Sequence, residues 1–459
     1  MRTIVQESIA QFQQKILSFF HSSTPVTIQR AETELLSIVK EFSLDLFQAY
    51  AQEVTESLRE DRAGRREVGL TLERREDERS ILTQLVEFRY RRDYYLDKHK
   101  KQYRYPADEI LGVDQYRRVS GEVGLALAGA AAEMSYAKSS RYVTGGEVSR
   151  QTVMSKVRGS RPKPVKTEGK KRVAVLHVDA DEDHVTLVGG KKSIVPLISV
   201  YEGIGQSGTR RYCREVFHIS EYGLDPDDLW EKALTAIEGR YDLEGTVIYL
   251  HGDGASWIKS AMEWLPNCRF VLDKYHKNKE IKKMSAGLRS LRTRRDVEAG
   301  IRESLIHEDG ALFNMITEGL CKETPEREKA IREAATYLTN ERDGIRICAL
   351  DNEANQGGCS EPHVSHILSS RLSDRPRTWS KETLVSLAPI LAARGELEEK
   401  KGIHVCEEPL LKKVAEKARK AFDLKHTLGL VQPEAIGSLT AIAMGKMTPT
   451  FKAIYSFSL

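Results

Sequence analysis

Acidic residues recur in this sequence where a folded backbone could gather them. Asp179 and Asp181 stand two apart in VDADEDHV, Asp253 sits in LHGDG, and Glu361 follows a Gly-Gly loop in QGGCSEP. Three or four carboxylates converging on divalent ions about 3.5–4 Å apart activate an attacking oxygen and stabilise a leaving one in phosphodiester chemistry. Residues two apart on a strand face the same side, so Asp179 and Asp181 are both candidates for the first acid, whereas Glu182 faces away. The glycines beside Asp253 allow close approach of backbone and substrate. Asp273-Lys-Tyr-His276 begins 20 residues after Asp253 and adds a carboxylate and an imidazole. Each group alone has an ordinary alternative: an Asp after a strand is usually a turn or N-cap residue, DADEDH reads equally as a solvated loop, and His276 as a core histidine. His363 and His366 form an H-x-x-H pair of zinc-ligand type, but no Cys or third His follows at a suitable spacing.

The order of the intervening elements makes the acids a set. KRVAVLHVDADEDHVTLV reads as a strand running into acids, and SIVPLISVYEG and REVFHIS as two more. A helix from Asp227 to about Ile237, the strand GTVIYLHGDG, a helix from Ala255 or Ser256 and the strand CRFVLDKYH complete a β-β-β-α-β-α-β order. That order predicts an α/β core of RNase H-like type: a mixed five-stranded sheet with flanking helices, whose adjacent parallel strands bring the first two carboxylate positions together. Residues 172–278 form its first part, 279–350 a large all-helical insertion, and 351–400 a second part carrying Glu361.

Upstream, residues 1–58 carry apolar residues at helical spacing, on amphipathic helices that pack on each other or on a second protomer. Residues 59–105 are basic and aromatic, with 14 Lys and Arg against 10 Asp and Glu between Arg59 and Arg104. Leu-Asp-Lys-His-Lys between two Tyr-rich runs predicts a hairpin. Its face is either a phosphate-contacting, base-stacking surface or a solvated charged edge. Residues 106–160 read as helical, with a Gly145-Gly146 break and Ser149 capping a helix that bears Arg150, Gln151, Thr152, Lys156 and Arg158. This is either a DNA-binding helix-turn-helix or an ordinary helical hairpin. The basic Pro and Gly stretch at 161–171 reads as a linker and domain boundary, and 401–459 as a C-terminal helical region. Lys259, Lys274, Lys277 and Lys279 flank the acids as DNA-contact candidates, and Trp257 and Trp379 read as packing residues.

The chain has 459 residues, 30% of them charged, and a formal charge of +4, enough for two to four domains with real cores. So small an excess means that any polyanion surface is local. Six cysteines without a C-x-x-C pair argue against a zinc ribbon and a secreted disulfide framework. No signal-peptide core and no bilayer-length apolar stretch is present, which predicts a soluble intracellular protein without a membrane partner.

The blocks VDADEDHV, LHGDGASWIK, FVLDKYHKNK and CSEPHVSHILSSRLSDRPRTWS, with YYLDKHKKQYRYP and GEVSRQTVMSKV upstream, resemble those of the ISLre-type bacterial insertion-sequence transposases across roughly residues 60–400. The likeness extends more distantly to Mutator-like transposases, in which a C/D-x-x-H motif like Asp273 to His276 follows the second acid. The resemblance implies a DDE transposase that cuts transposon ends and joins them to target DNA with Mg²⁺ or Mn²⁺, as two ions. Carried over by position, the metal-binding triad is Asp181 (or Asp179), Asp253 and Glu361, although the third block is one residue shorter than the family pattern. It also implies a homo-oligomer on paired double-stranded ends, in the bacterial cytoplasm and on the nucleoid. Competing readings are a catalytically inactive or domesticated sequence-specific DNA-binding protein and a structure-selective nuclease of the same fold.

Overall fold

In the computed structural model, which describes residues 2–164, 169–400 and 408–421, the chain divides into two compact units, residues 1–123 with 403–459 and residues 124–402.

In the first unit, helices α1 (Arg2–Phe20) and α2 (Ile28–Glu60) pair, with Phe12 stacked on Phe42 at 4.5 Å. Thr27 starts α2 by accepting the Arg30 N–H. An antiparallel sheet follows: β1 (Leu70–Leu82), β2 (Glu87–Asp97) and β3 (Gln102–Arg104). The expected hairpin is the β2–β3 pair, but β2 also pairs along its length with β1, which sequence did not reveal. Strand β1 reads LTLERREDERSIL and is mostly solvent-facing, so neither apolar alternation nor burial marks it. The basic aromatic face takes the charge-paired form. Arg89 pairs with Glu87, Arg91 with Glu76, Arg92 with Asp108 and Arg59 with Asp93, while Tyr90 and Tyr95 are buried. Val54, Leu58, Leu70 and Tyr95 form a core with Leu410, Leu411 and Val414 of the helix Pro409–Ala421. The rest of the predicted 401–459 helical region lies outside the described residues.

In the second unit, helices α3 (Tyr136–Thr144) and α4 (Arg150–Gly159) are joined through Gly145, in a left-handed conformation at φ 64°, and Gly146. Ser149 caps α4 by accepting the Thr152 N–H at 3.1 Å. The predicted linker begins instead as a strand, β4 (Ser160–Pro162), hydrogen-bonded to Leu397–Glu399, and the division between units falls at 123/124 and 402/403 rather than there. Of the 161–171 stretch β4 takes up only Arg161 and Pro162, and residues 165–168 lie outside the described residues.

The central sheet comprises β5 (Val175–Thr186), β6 (Lys192–Tyr201), β7 (Phe217–Ile219), β8 (Val247–Gly252) and β9 (Cys268–Leu272), in spatial order β7-β6-β5-β8-β9. The first three run antiparallel; β5, β8 and β9 run parallel. Helix α5 (Pro226–Glu238), capped by Asp225, connects β7 to β8. Alternation decides which face is dry. Leu176, Val178, Ala180, Ile248, Leu250, Phe270 and Leu272 pack on Trp230, Ala233 and Ile237 of α5. The same core continues into the predicted all-helical stretch, α6 (Lys274–Ser285), α7 (Leu291–Ile306), α8 (Gly310–Glu323), α9 (Glu328–Asn340) and α10 (Arg342–Leu350). The chain returns through α11 (Ser360–Val364) and α12 (Lys381–Ala393). No helix among the described residues is long and apolar enough to cross a membrane.

Candidate active site

Strand β5 does not end at the acids but runs through them, placing His177, Asp179, Asp181 and Asp183 together on the face opposite the apolar core. In the parallel β5–β8 ladder His251 pairs with Asp179. That is the last pair of the ladder; Gly252 ends β8 against the Ala180 carbonyl, and Asp253 follows just past the strand end, 72 residues after Asp181.

The three β5 aspartates differ in their partners. Asp179, 1% exposed, accepts the Tyr201 hydroxyl at 2.9 Å and the Cys359 N–H at 2.6 Å. Burial pushes the pKa of its carboxyl well above the usual range, and that of the Tyr201 hydroxyl likewise. Asp183 accepts the hydroxyls of Ser369 at 3.0 Å and Ser373 at 2.7 Å. Asp181, between them, is half-buried and accepts the backbone N–H of Glu182 at 2.8 Å. Burial raises its pKa to about 6, with the carboxylates of Glu361 and Asp253 adding to the rise and the Glu182 N–H and His276 opposing it. Asp181, Asp253 and Glu361 therefore share one electrostatic environment although they come from three distant segments.

Local structure holds the other two acids. Asp253 follows Gly252, where a Cβ would lie 2.8 Å from Ile258, and its carboxylate accepts the Ala255 N–H at 2.8 Å while its carbonyl accepts the Tyr337 hydroxyl. Glu361 is exposed on the first turn of α11. The loop before it is pinned on the polar face. A Cβ on Gly357 would come within 2.0 Å of His251 Nε2, Gly358 adopts φ 86°, and Ser360 donates to Asp273 at 3.3 Å. Beneath it His177 Nδ1 and His251 Nε2 lie 3.1 Å apart, and burial lowers both imidazoles, His177 to about 4. Neither carries a proton charge into the sheet at neutral pH.

The uncharacterised protein family UPF0236 matches residues 23–407. The chain belongs to this family. Two UPF0236 proteins of Caldanaerobacter subterraneus subsp. tengcongensis are each 32% identical to it over 440 residues, 92% of this chain. One, whose name joins eleven designations from TTE0033 to TTE2212, is covered over 91% of its length, and the other, TTE2489, over 92%.

In this UPF0236 chain His276 stands on the first turn of α6, its Nδ1 3.8 Å from Asp273. Asp273 raises its pKa against burial, and Asp253 and Asp181 add to the rise. Asp273 itself is buried and caps α6 by accepting the Tyr275 N–H. Among the described residues no three His, Cys, Asp or Glu are gathered tightly enough to hold an ion as they stand.

The basic candidates divide. Arg150 and Gln151 are exposed on the first turn of α4, whereas Thr152 is tied to Ser149 and Lys156 lies half-buried along Gly124. Arg158 bonds Ser380 at 2.8 Å and Thr383 at 3.2 Å and so ties α4 to the start of α12. Lys259 is likewise committed to Glu341 at 2.6 Å and Lys274 to the Asn355 carbonyl, while Lys277 is half-buried on α6. Trp257 bonds Glu182, and Trp379 is buried, both in packing roles. Tyr201, Tyr337, Ser369 and Ser373 escaped sequence reasoning, because nothing local marks a residue that orients an acid far away in the chain.

Proposed function

We propose that the chain is a DDE transposase with an RNase H-like catalytic domain, acting on double-stranded DNA. The observation that carries this reading is the parallel β5–β8 pairing, which brings the strand of Asp181 beside the one that leads into Asp253, with both Asp253 and Glu361 raising the Asp181 carboxyl. The strand order and directions agree with the proposed fold, and a relative named with eleven designations from one organism fits a sequence that multiplies within a genome.

Asp181 is the first triad acid in this proposal. The oxygens of Asp179 are occupied by Tyr201 and Cys359, which makes it a positioning residue. The three carboxylates form a hard oxygen set suited to Mg²⁺ or Mn²⁺, two ions in the full site, and their mutual repulsion is what a divalent cation would relieve. When bound, such ions supply Lewis-acid activation of the attacking and leaving oxygens. In this proposal His276, its pKa raised chiefly by Asp273, donates a proton to a departing oxygen or a phosphate. The α3–α4 pair serves as a helix-turn-helix that presents Arg150 and Gln151 to the terminal repeats. The enzyme works as a homo-oligomer on paired ends in the bacterial cytoplasm.

The test is strand cleavage and strand transfer on duplexes carrying the element's own flanking ends, with Mg²⁺ or Mn²⁺, wild type beside Asp253→Asn. Nicking and joining at the ends, lost in the variant while end binding persists, is the expected result. Hydrolysis without joining would make the protein a nuclease, and tight end binding with no cleavage under either metal a binding protein. Arg150→Ala and Gln151→Ala should each weaken end binding by about 1–3 kcal/mol, and unchanged affinity in both would remove the helix-turn-helix role.

A further inference from the structure

A second group of donors surrounds His363, on the far side of Asp179 from the sheet's apolar core. Cys213 ends the small hairpin Ile204–Ser207 with Arg210–Cys213, and its thiol and that of Cys359 act on each other, raising the pKa of Cys213 and lowering that of Cys359. The Cys213 sulfur also lies 3.7 Å from His363 Nε2. Zinc bonds of about 2.3 Å to sulfur and about 2.0–2.1 Å to nitrogen give a tetrahedral S···N edge of roughly 3.6 Å, close to that separation. The His218 ring stands 5.1 Å from the His363 ring, and its Nδ1 is engaged by Ser199 Oγ at 2.9 Å, which leaves Nε2 for a ligand. On His363 it is Nδ1 that is buried without a partner, 4.0 Å from Asp179 Oδ2. A carboxylate facing the second nitrogen is the usual means of orienting a metal-bound imidazole.

We propose that Cys213, Cys359, His363 and His218 form a structural zinc site that ties the hairpin to the loop preceding Glu361. The set is open as it stands, since no three such side chains are gathered at ligating distance among the described residues. Binding closes it by side-chain rotation and releases the two thiol protons to solvent as both sulfurs become thiolates. His366 takes no part, because it is exposed, so the H-x-x-H pair in the sequence is split. This inference stands independently of the proposed DNA chemistry.

The full chain, stripped by chelator, is titrated with Zn²⁺ alone and with Co²⁺, whose thiolate-to-metal charge-transfer band reports sulfur ligation. One tightly held ion per chain with that band is expected. It should be lost in Cys213→Ser, weakened at least about tenfold in His363→Gln, and kept in His366→Ala and in Asp181→Asn, which disables the carboxylate site instead. Absence of the thiolate band in the wild type, retention of zinc in Cys213→Ser, loss in Asp181→Asn, or a Cys213–Cys359 disulfide in place of the metal would each overturn it. The wild-type Co²⁺ spectrum decides even if a variant fails to fold.

Discussion

The two faces of the central sheet are built from the same strands and obey opposite rules. On one, Leu176, Val178, Ala180, Ile248 and Leu250 are buried against Trp230 and Ile237. Burying such a side chain stabilises the fold by about 1.5–3 kcal/mol. On the other, His177, Asp179, Asp183 and His251 are almost equally buried, and every one is a group whose burial is costly without a partner. Partners are supplied: Tyr201, the Cys359 N–H, Ser369, Ser373 and the histidine pair. Asp181 is set among them with its own chain's N–H and two further acids nearby. A fold that meets such costs on one face only has a use for that face.

The comparison can be broken at its extremes. Asp253→Asn should lower strand cleavage about 10³-fold or more, the equivalent of several kcal/mol in the barrier, with the urea midpoint unchanged. A parallel loss of stability would mean the polar face holds the fold together. Trp230→Ala attacks the dry face and should cost about 3–5 kcal/mol in urea unfolding, with activity falling only as the folded fraction does. Between them lies Gly357→Ala, whose methyl would meet His251. We expect a loss of about 1–3 kcal/mol and a larger proportional loss of cleavage, because the loop carrying Cys359 to Glu361 must shift. Equal losses in both would show that the loop contributes packing alone.

The smallest effect is one of pH. In metal-free protein Asp181 titrates near 6 against an ordinary value of 3.8. Its folded form holds the proton more tightly than the unfolded form, so this contribution to stability is complete at low pH and fades as pH rises through 6. Its loss, of order 2 kcal/mol between pH 4 and 7, should be absent in Asp181→Asn when urea unfolding is compared at each pH. An identical pH profile in both proteins would place the titration elsewhere.

The sheet was legible because alternation in β5 and β8 is a local signal, and so was the glycine-flanked Asp253. The different surroundings of Asp179 and Asp181 were not. Both face the same way, and what separates them is Tyr201 and the Cys359 N–H, 22 and 180 residues from Asp179. Strand β1 was hidden by its charge, and β4 by the distance in sequence to its partner, Leu397–Glu399. The partners of the lysines and arginines were hidden for the same reason. Arg158, Lys259 and Lys274 look available until Ser380, Glu341 and Asn355 arrive from elsewhere in the chain. Composition names a charge, and only tertiary structure shows whether it is already spent.

The lateness of Glu361 has a consequence in time. A ribosome adding about 5–20 residues per second completes β5, β8 and β9 well before it reaches the third acid, 180 residues after Asp181. On the proposed function, the nascent chain of that interval carries the segments that read DNA and two of the three acids, while helices α6 to α10, which continue the sheet's core, are still being added. Binding and cutting are then separated by the order of synthesis alone.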